Sequence, residues 1–124
     1  MELKNNLYTI TSHQEHEGTH EFLLTLLPDS IIYKAHFPGQ AITPGVCITQ
    51  MAVEMAAEVM QQPLTLVKVK NVKFLSVISP NETATVTCVI SNLRTTDSGT
   101  AFQATVCSKE TVFAKMSLTC TTVG

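Results

Sequence analysis

Polar and apolar residues alternate from Thr19 to Leu27, through Thr-His-Glu-Phe-Leu-Leu-Thr-Leu-Leu, and the run stops at Pro28-Asp29. That period predicts a strand, with a shorter one over Leu7 to Thr11 before it. After Pro38-Gly39 and Thr43-Pro44-Gly45 the period changes. Between Val46 and Met60 the apolar residues Ile48, Met51, Ala52, Met55, Ala56 and Val59 recur at the spacing of one buried helical face. Thr43 is the expected N-cap with Pro44 at the first helical position, and Pro63 prevents continuation past Gln62. Beyond Pro63 the chain is rich in Val, Thr, Ile and Phe and is punctuated by Ser79-Pro80-Asn81 and Thr96-Asp97-Ser98-Gly99. This predicts three or four more strands in an antiparallel meander. One long apolar helix beside about five or six strands buries its face most simply when the sheet wraps around it, an α+β architecture.

Composition narrows the picture. A chain of 124 residues has room for one domain spanning 1–124. Charged residues make up 15% against a usual figure of about 25%, so either another subunit covers part of the surface or Thr and Ser solvate it. A formal net charge of -2 gives no support to electrostatic binding of nucleic acid. The polar opening Met1-Glu2-Leu3-Lys4-Asn5-Asn6 lacks the features of a secretory signal, so a cytoplasmic location is expected. The longest apolar region is broken by Gln50, Glu54 and Glu58, so no membrane association is expected. Cys47, Cys88, Cys107 and Cys120 are widely spread without zinc-site spacing and are read as small buried hydrophobes.

Two segments carry candidate chemistry. His16-Glu17-Gly18-Thr19-His20 spells the zinc-protease signature H-E-x-x-H. That signature needs a helix to bring both imidazoles onto one metal, whereas Gly18 and the alternation that follows predict a strand or turn, with i and i+4 about 13 Å apart. No metal site is therefore expected, and His13 is read as an exposed polar residue. The second segment, His36-Phe37-Pro38-Gly39-Gln40-Ala41-Ile42-Thr43-Pro44-Gly45-Val46, leads into the helix. Its Pro and Gly residues place His36 on a rigid loop. Unpaired amides near Gly45 and Val46 at the helix start suit an oxygen that gains negative charge, and an imidazole suits removal of a proton alpha to that carbonyl.

The order His36-Phe37-Pro38, Ala41-Ile42, Pro44-Gly45-Val46, followed downstream by Val72-Lys73-Phe74-Leu75-Ser76-Val77-Ile78-Ser79-Pro80-Asn81-Glu82, resembles the hotdog-fold 3-hydroxyacyl-ACP dehydratases. With Asp29 to Ala35 upstream, the similarity runs from about Pro28 to Glu82. It implies a hotdog fold and a homodimer whose sheets join edge to edge, with acyl tunnels at the interface and no cofactor. It also implies an acyl carrier protein-bound substrate. His36 would remove the alpha proton and the Gly45-region amide would hold the thioester oxygen, with Phe37, Pro38 and Val46 beside the substrate. A carboxylic acid would protonate the departing hydroxyl to give a trans-2-enoyl thioester. Lys68, Lys70 and Lys73 are read either as a guide for an acidic carrier protein or as a solvated strand face.

At the position of the family's acid this chain has Gln50, and one turn later, where the family commonly has Gln, it has Glu54. A carboxamide donates a hydrogen bond but is no proton source. Glu54 shares its helix face and is the expected substitute acid, acting directly or through water. The alternative places Gln50, Glu54, Glu58 and Gln61 on a solvated stripe. The expected function is a dehydratase of acyl-chain synthesis. Its rivals are a hotdog thioesterase, with Gln50 positioning water or the carbonyl, and a non-catalytic acyl-binding partner subunit.

Overall fold

The structure is a computed structural model that describes residues 2–36, 39 and 41–122, with His36 described by its backbone alone. Eight elements follow in order: β1 (Tyr8–His16), β2 (Thr19–Leu26), α1 (Ile31–His36), α2 (Gly45–Met60), β3 (Leu64–Phe74), β4 (Thr85–Thr96), β5 (Gly99–Ser108) and β6 (Thr111–Thr122). The strands form one antiparallel sheet in the order β1-β2-β4-β5-β6-β3. The helix α2 packs on its inner face, which is the expected α+β hotdog arrangement.

Register explains the core. Because side chains alternate across a strand, residues paired across the sheet share a face. Phe22 pairs with Cys88, Cys88 with Val106 and Val106 with Ala114, a continuous buried row across four strands. A second row joins Ile90, Ala104 and Met116. Against these lie Cys47, Ile48, Met51, Ala52, Val53, Met55 and Ala56 of α2, all buried. The buried face is wider than the anticipated stripe: Cys47 and Val53 join it, while Val59 is only partly covered. The outward residues of β4 and β5 include Thr85, Thr87, Ser91, Gln103 and Thr105, so hydroxyl and amide groups solvate much of this charge-poor surface.

The structure corrects several expectations. β1 runs to His16 rather than Thr11, because its distal half is exposed on both faces and so shows no alternation. The N-cap of α2 is Pro44, with extended backbone and no side-chain cap. Thr43 is buried and its hydroxyl is engaged with the Tyr33 hydroxyl at 2.9 Å, so it does not turn back to the helix amides. At the other end Gln61 takes the left-handed conformation, with φ 57°, and Pro63 follows. The meander holds for β4, β5 and β6, but β3 joins β6 at the far edge instead of pairing with β4. Turn residues at Ser79-Pro80-Asn81 mark a reversal of the chain without fixing which strand the next one meets. Among the described residues no helix is long and apolar enough to cross a membrane.

Candidate active site

His36 ends the short helix α1 rather than sitting on an open loop. The Ser30 hydroxyl accepts a hydrogen bond from the Ile32 N–H at 3.3 Å, a local turn that starts this helix. The buried Tyr33 hydroxyl ties α1 to Thr43, and the Thr43 N–H donates to the Ile78 carbonyl at 2.8 Å. The start of α2 is thus pinned to both α1 and the β3–β4 connection. Burial pushes the Tyr33 phenol up from its ordinary value despite the opposing effect of its bond to Thr43, so it keeps its proton. Phe37, Pro38 and the side chain of His36 lie outside the described residues.

Gly45 opens α2, and Pro44 supplies no side-chain acceptor for the first amides. They retain the partial positive charge of a helix start. The Phe74 ring closes over Gly45: a Cβ there would lie 3.0 Å from two of its ring carbons. Val46 projects outward and is 67% exposed, as are Phe74 and Val77 to 51% and 63%.

Gln50 lies about 7.5 Å further along the helix from Gly45 at 1.5 Å rise per residue. It is half-buried and lines an open cleft of about 560 Å³ bounded also by Lys4, Val53, Glu54, Glu58 and Leu64. Within that wall Glu54 is the hub. Its Oε1 accepts hydrogen bonds from the Tyr8 hydroxyl at 2.6 Å and the Lys4 N–H at 2.9 Å. Its Oε2 accepts from the Leu3 N–H at 2.7 Å and from Gln50 Nε2 at 3.1 Å. Four donors on one carboxylate use most of its acceptor capacity. Glu58 pairs with the Lys4 ammonium at 3.2 Å. The polar face of α2 is therefore clamped by residues 3–8, and the anticipated solvated stripe holds only for its end, where Gln61 is exposed. Tyr8 is fully buried; desolvation first, then its bond to Glu54 and that carboxylate's charge, push its phenol far above the usual range, so it acts as a donor.

The H-E-x-x-H segment forms a hairpin. His16 pairs with Thr19, and Glu17 and Gly18 take φ 52° and 83° at the two-residue turn between β1 and β2. The helix that a zinc-protease site needs is not formed. His13 is less isolated than expected: it stacks on Phe22 with ring centroids 4.0 Å apart, and its Nε2 lies 2.9 Å from His20 Nδ1.

The contribution of Tyr8 and the N-terminal turn was invisible in the sequence. Their contacts with Glu54 span 46 to 51 positions along the chain, and no local period encodes such a pairing.

A cleft along the polar face of a helix that is wrapped by one antiparallel sheet is the setting in which a family model meets the chain. Residues 12–117 match the model for the ApeI-like family, described as ApeI dehydratase. The chain belongs to this ApeI-like dehydratase family. No curated protein matches it in sequence. Among solved structures it is similar to an uncharacterized protein from Erwinia carotovora subsp. atroseptica, with 21% identity over 94% of this chain and 96% of that one, at a TM-score of 0.67. It is similar also to a chain of the dehydratase heterocomplex ApeI:P from Xenorhabdus doucetiae, with 16% identity, coverage of 92% and 97% and a TM-score of 0.69. A third likeness is to the hexameric thioesterase y2039 from Yersinia pestis, with 15% identity, coverage of 82% and 89% and a TM-score of 0.53. At these identities the structural likenesses show the fold, and within the ApeI-like family that fold is the hotdog.

Proposed function

We propose that this ApeI-like protein acts on acyl thioesters presented by an acyl carrier protein, as a 3-hydroxyacyl dehydratase giving a trans-2-enoyl thioester in acyl-chain synthesis. The observation that carries the reading is the family match over residues 12–117, a span that includes His36 and the start of α2. His36 takes the proton alpha to the thioester carbonyl, and the N–H groups at Gly45 and Val46 hold the oxygen as it gains charge. The bond from carbon to the 3-hydroxyl then breaks and the hydroxyl leaves, with one proton, as water. Glu54 is the proposed source of that proton, directly or through a water: it acts in its protonated form, whose O–H takes the place of one of the four donors its carboxylate accepts from, and it is left as the carboxylate when the water departs. Phe37, Pro38 and Val46 line the path of the acyl chain, and Lys68, Lys70 and Lys73 on β3 meet the acidic carrier.

Assembly follows from the same reading. β3 is an edge strand whose Val67 and Val69 are each about half exposed, and Phe74 at its end is 51% exposed. An apolar edge of this kind is a template for pairing with another chain. We take it to join a second copy as a homodimer.

The engagement of Glu54 and the presence of Gln50 favour one second reading, a thioesterase in which Gln50 orients water on the carbonyl. The product separates the two when a 3-hydroxyacyl-ACP is supplied: an enoyl group means dehydration and a free carrier thiol means hydrolysis. For dehydration with Glu54 as the acid, Glu54→Gln lowers kcat by about 10²- to 10⁴-fold, the usual worth of general acid–base catalysis. An unchanged rate in Glu54→Gln removes Glu54 from that role.

A further inference from the structure

Side chains two apart on a strand share a face, and residues paired across the ladder share it too. His13 pairs with Phe22 and Glu15 with His20, so these four side chains gather on one face of the β1–β2 hairpin, while His16, paired with Thr19, falls on the other. The two-residue turn at Glu17 and Gly18, both at positive φ, fixes that register. The rings are held from below and from the side. Phe22 is buried, and the His13 ring stacks on it with centroids 4.0 Å and planes 15° apart. The His20 side chain is only 13% exposed, and its Nε2 lies 4.0 Å from Glu15 Oε2. Between the two imidazoles, His13 Nε2 stands 2.9 Å from His20 Nδ1. Two imidazole nitrogens bound to one ion at about 2.0–2.1 Å stand about 2.8–3.0 Å apart when the angle at the metal is near 90°. The hairpin therefore already holds the two nitrogens at the separation of a cis pair of ligands.

We propose that His13 Nε2 and His20 Nδ1 chelate one divalent late-transition-metal ion of tetragonal preference, Ni(II) or Cu(II), with water completing its coordination. Both metals favour imidazole nitrogen and ligand angles near 90°. Among the described residues no group of three or more His, Cys, Asp or Glu side chains is placed to hold a metal, so the chain supplies two ligands and the site stays open to solvent. Glu15 acts behind His20. A carboxylate facing Nε2 favours the tautomer with its proton there, which leaves the Nδ1 lone pair turned toward His13. The ion takes the place of the proton shared between the rings, and that proton passes to His13 Nδ1, so a neutral pair binds with no net proton released. Each ring has only to pivot about its last side-chain torsion, which is broad for histidine, for both lone pairs to meet at one point. The site uses His20 of the H-E-x-x-H segment with a histidine outside it, across a strand pair instead of along a helix. It lies on the hairpin and does not rest on the acyl-thioester reading.

The test is calorimetric titration of the full chain, without a histidine tag, by Ni(II) chloride in a non-chelating buffer at neutral pH. Ni(II) is the probe because, unlike Cu(II), it does not oxidise thiols such as the half-buried Cys107. One ion is expected to bind per chain. Loss of a ligand costs at least as much as loss of a supporting partner, so His13→Ala and His20→Ala each weaken binding by at least about 10-fold. His13 is exposed, so its variant decides the matter if His20→Ala fails to fold. His16→Ala, on the opposite face, keeps the native affinity. The paramagnetic ion also reports its place: at a low ratio of metal to protein the NMR signals of the hairpin around residues 13 and 20 broaden first. Absence of Ni(II) binding by the native chain, native affinity in His13→Ala, a loss in His16→Ala as large as in His13→Ala, or broadening that begins away from the hairpin overturns the proposal. None of these results bears on the acyl-thioester reading, which is tested by its product.

Discussion

Cys88 pairs across the sheet with Phe22 and Val106 and is completely buried, and Cys120 is equally inaccessible. Burial raises the Cys88 thiol from 9.0 to about 12 and the Cys120 thiol to about 11. These are inert apolar fillers, as their spacing in the sequence suggested; Cys107 is only half-buried. The sign of the pH effect follows from proton counting. Above about pH 9 the unfolded chain gives up thiol protons that the folded chain retains, so νU is less than νN and stability falls with rising pH. The contribution of Cys88 is intact below its ordinary value of 9.0 and is lost as the pH rises toward about 12. Thermal melts at about pH 8 and about pH 10.5 are expected to show a smaller alkaline drop in Cys88→Ala than in the native chain. An identical drop in both would contradict this account of the thiol. Residues such as these were legible because burial of a small apolar side chain follows from strand periodicity. The grip of Tyr8 on Glu54 was not, because it depends on where the N-terminal turn lands in three dimensions.

At the scale of elements, α2 and β2 announced themselves because each buries one face and keeps its period. β1 lost its signal where both faces meet solvent, and α1 was hidden because a six-residue helix is too short to display a helical period. Turn chemistry was read more surely. Thr96 pairs with Gly99 at the β4–β5 hairpin, and the Thr96 hydroxyl accepts from the Ser98 N–H at 3.2 Å and donates to the Gly99 carbonyl at 3.1 Å. Gly99 has φ 135°, and a Cβ there would stand 2.2 Å from the Cys120 carbonyl oxygen on the backbone of β6. Backbone cannot swing aside as a side-chain tip can. Gly99→Ala is therefore expected to cost about 2–4 kcal/mol in chemical denaturation, combining strain at that φ with the clash. A cost under about 0.5 kcal/mol, the range of an ordinary surface substitution, would contradict the geometry. Gly45→Ala meets only the far end of the half-exposed Phe74 ring and should be tolerated far better.

For the whole molecule, the sequence conveyed the fold class, the helix and the turn positions, whereas the strand order needed coordinates. Nothing local in Leu64–Phe74 says that it will pair with β6 and form an edge. That edge gives the low charge content a second explanation beside the Thr-rich outer face. Light scattering on the purified chain is expected to give twice the 13.5 kDa monomer mass. Val69→Asp should shift it toward the monomer, since a charge would be buried unpaired where the two edges meet. A native chain that remains monomeric at micromolar concentration would contradict the edge-pairing reading.

The central claim is that the imidazole at the end of α1 and the amides at the start of α2 act on one hydroxylated acyl thioester. The most direct measurement is the mass of the product after incubation with a short 3-hydroxyacyl-ACP, for the native protein and for His36→Ala. The account predicts loss of one water from the carrier-bound chain with the native protein and a rate lower by at least about 10²-fold with His36→Ala, the minimum usual for loss of a general base. An unaltered substrate with the native protein, or equal conversion by His36→Ala, would contradict it.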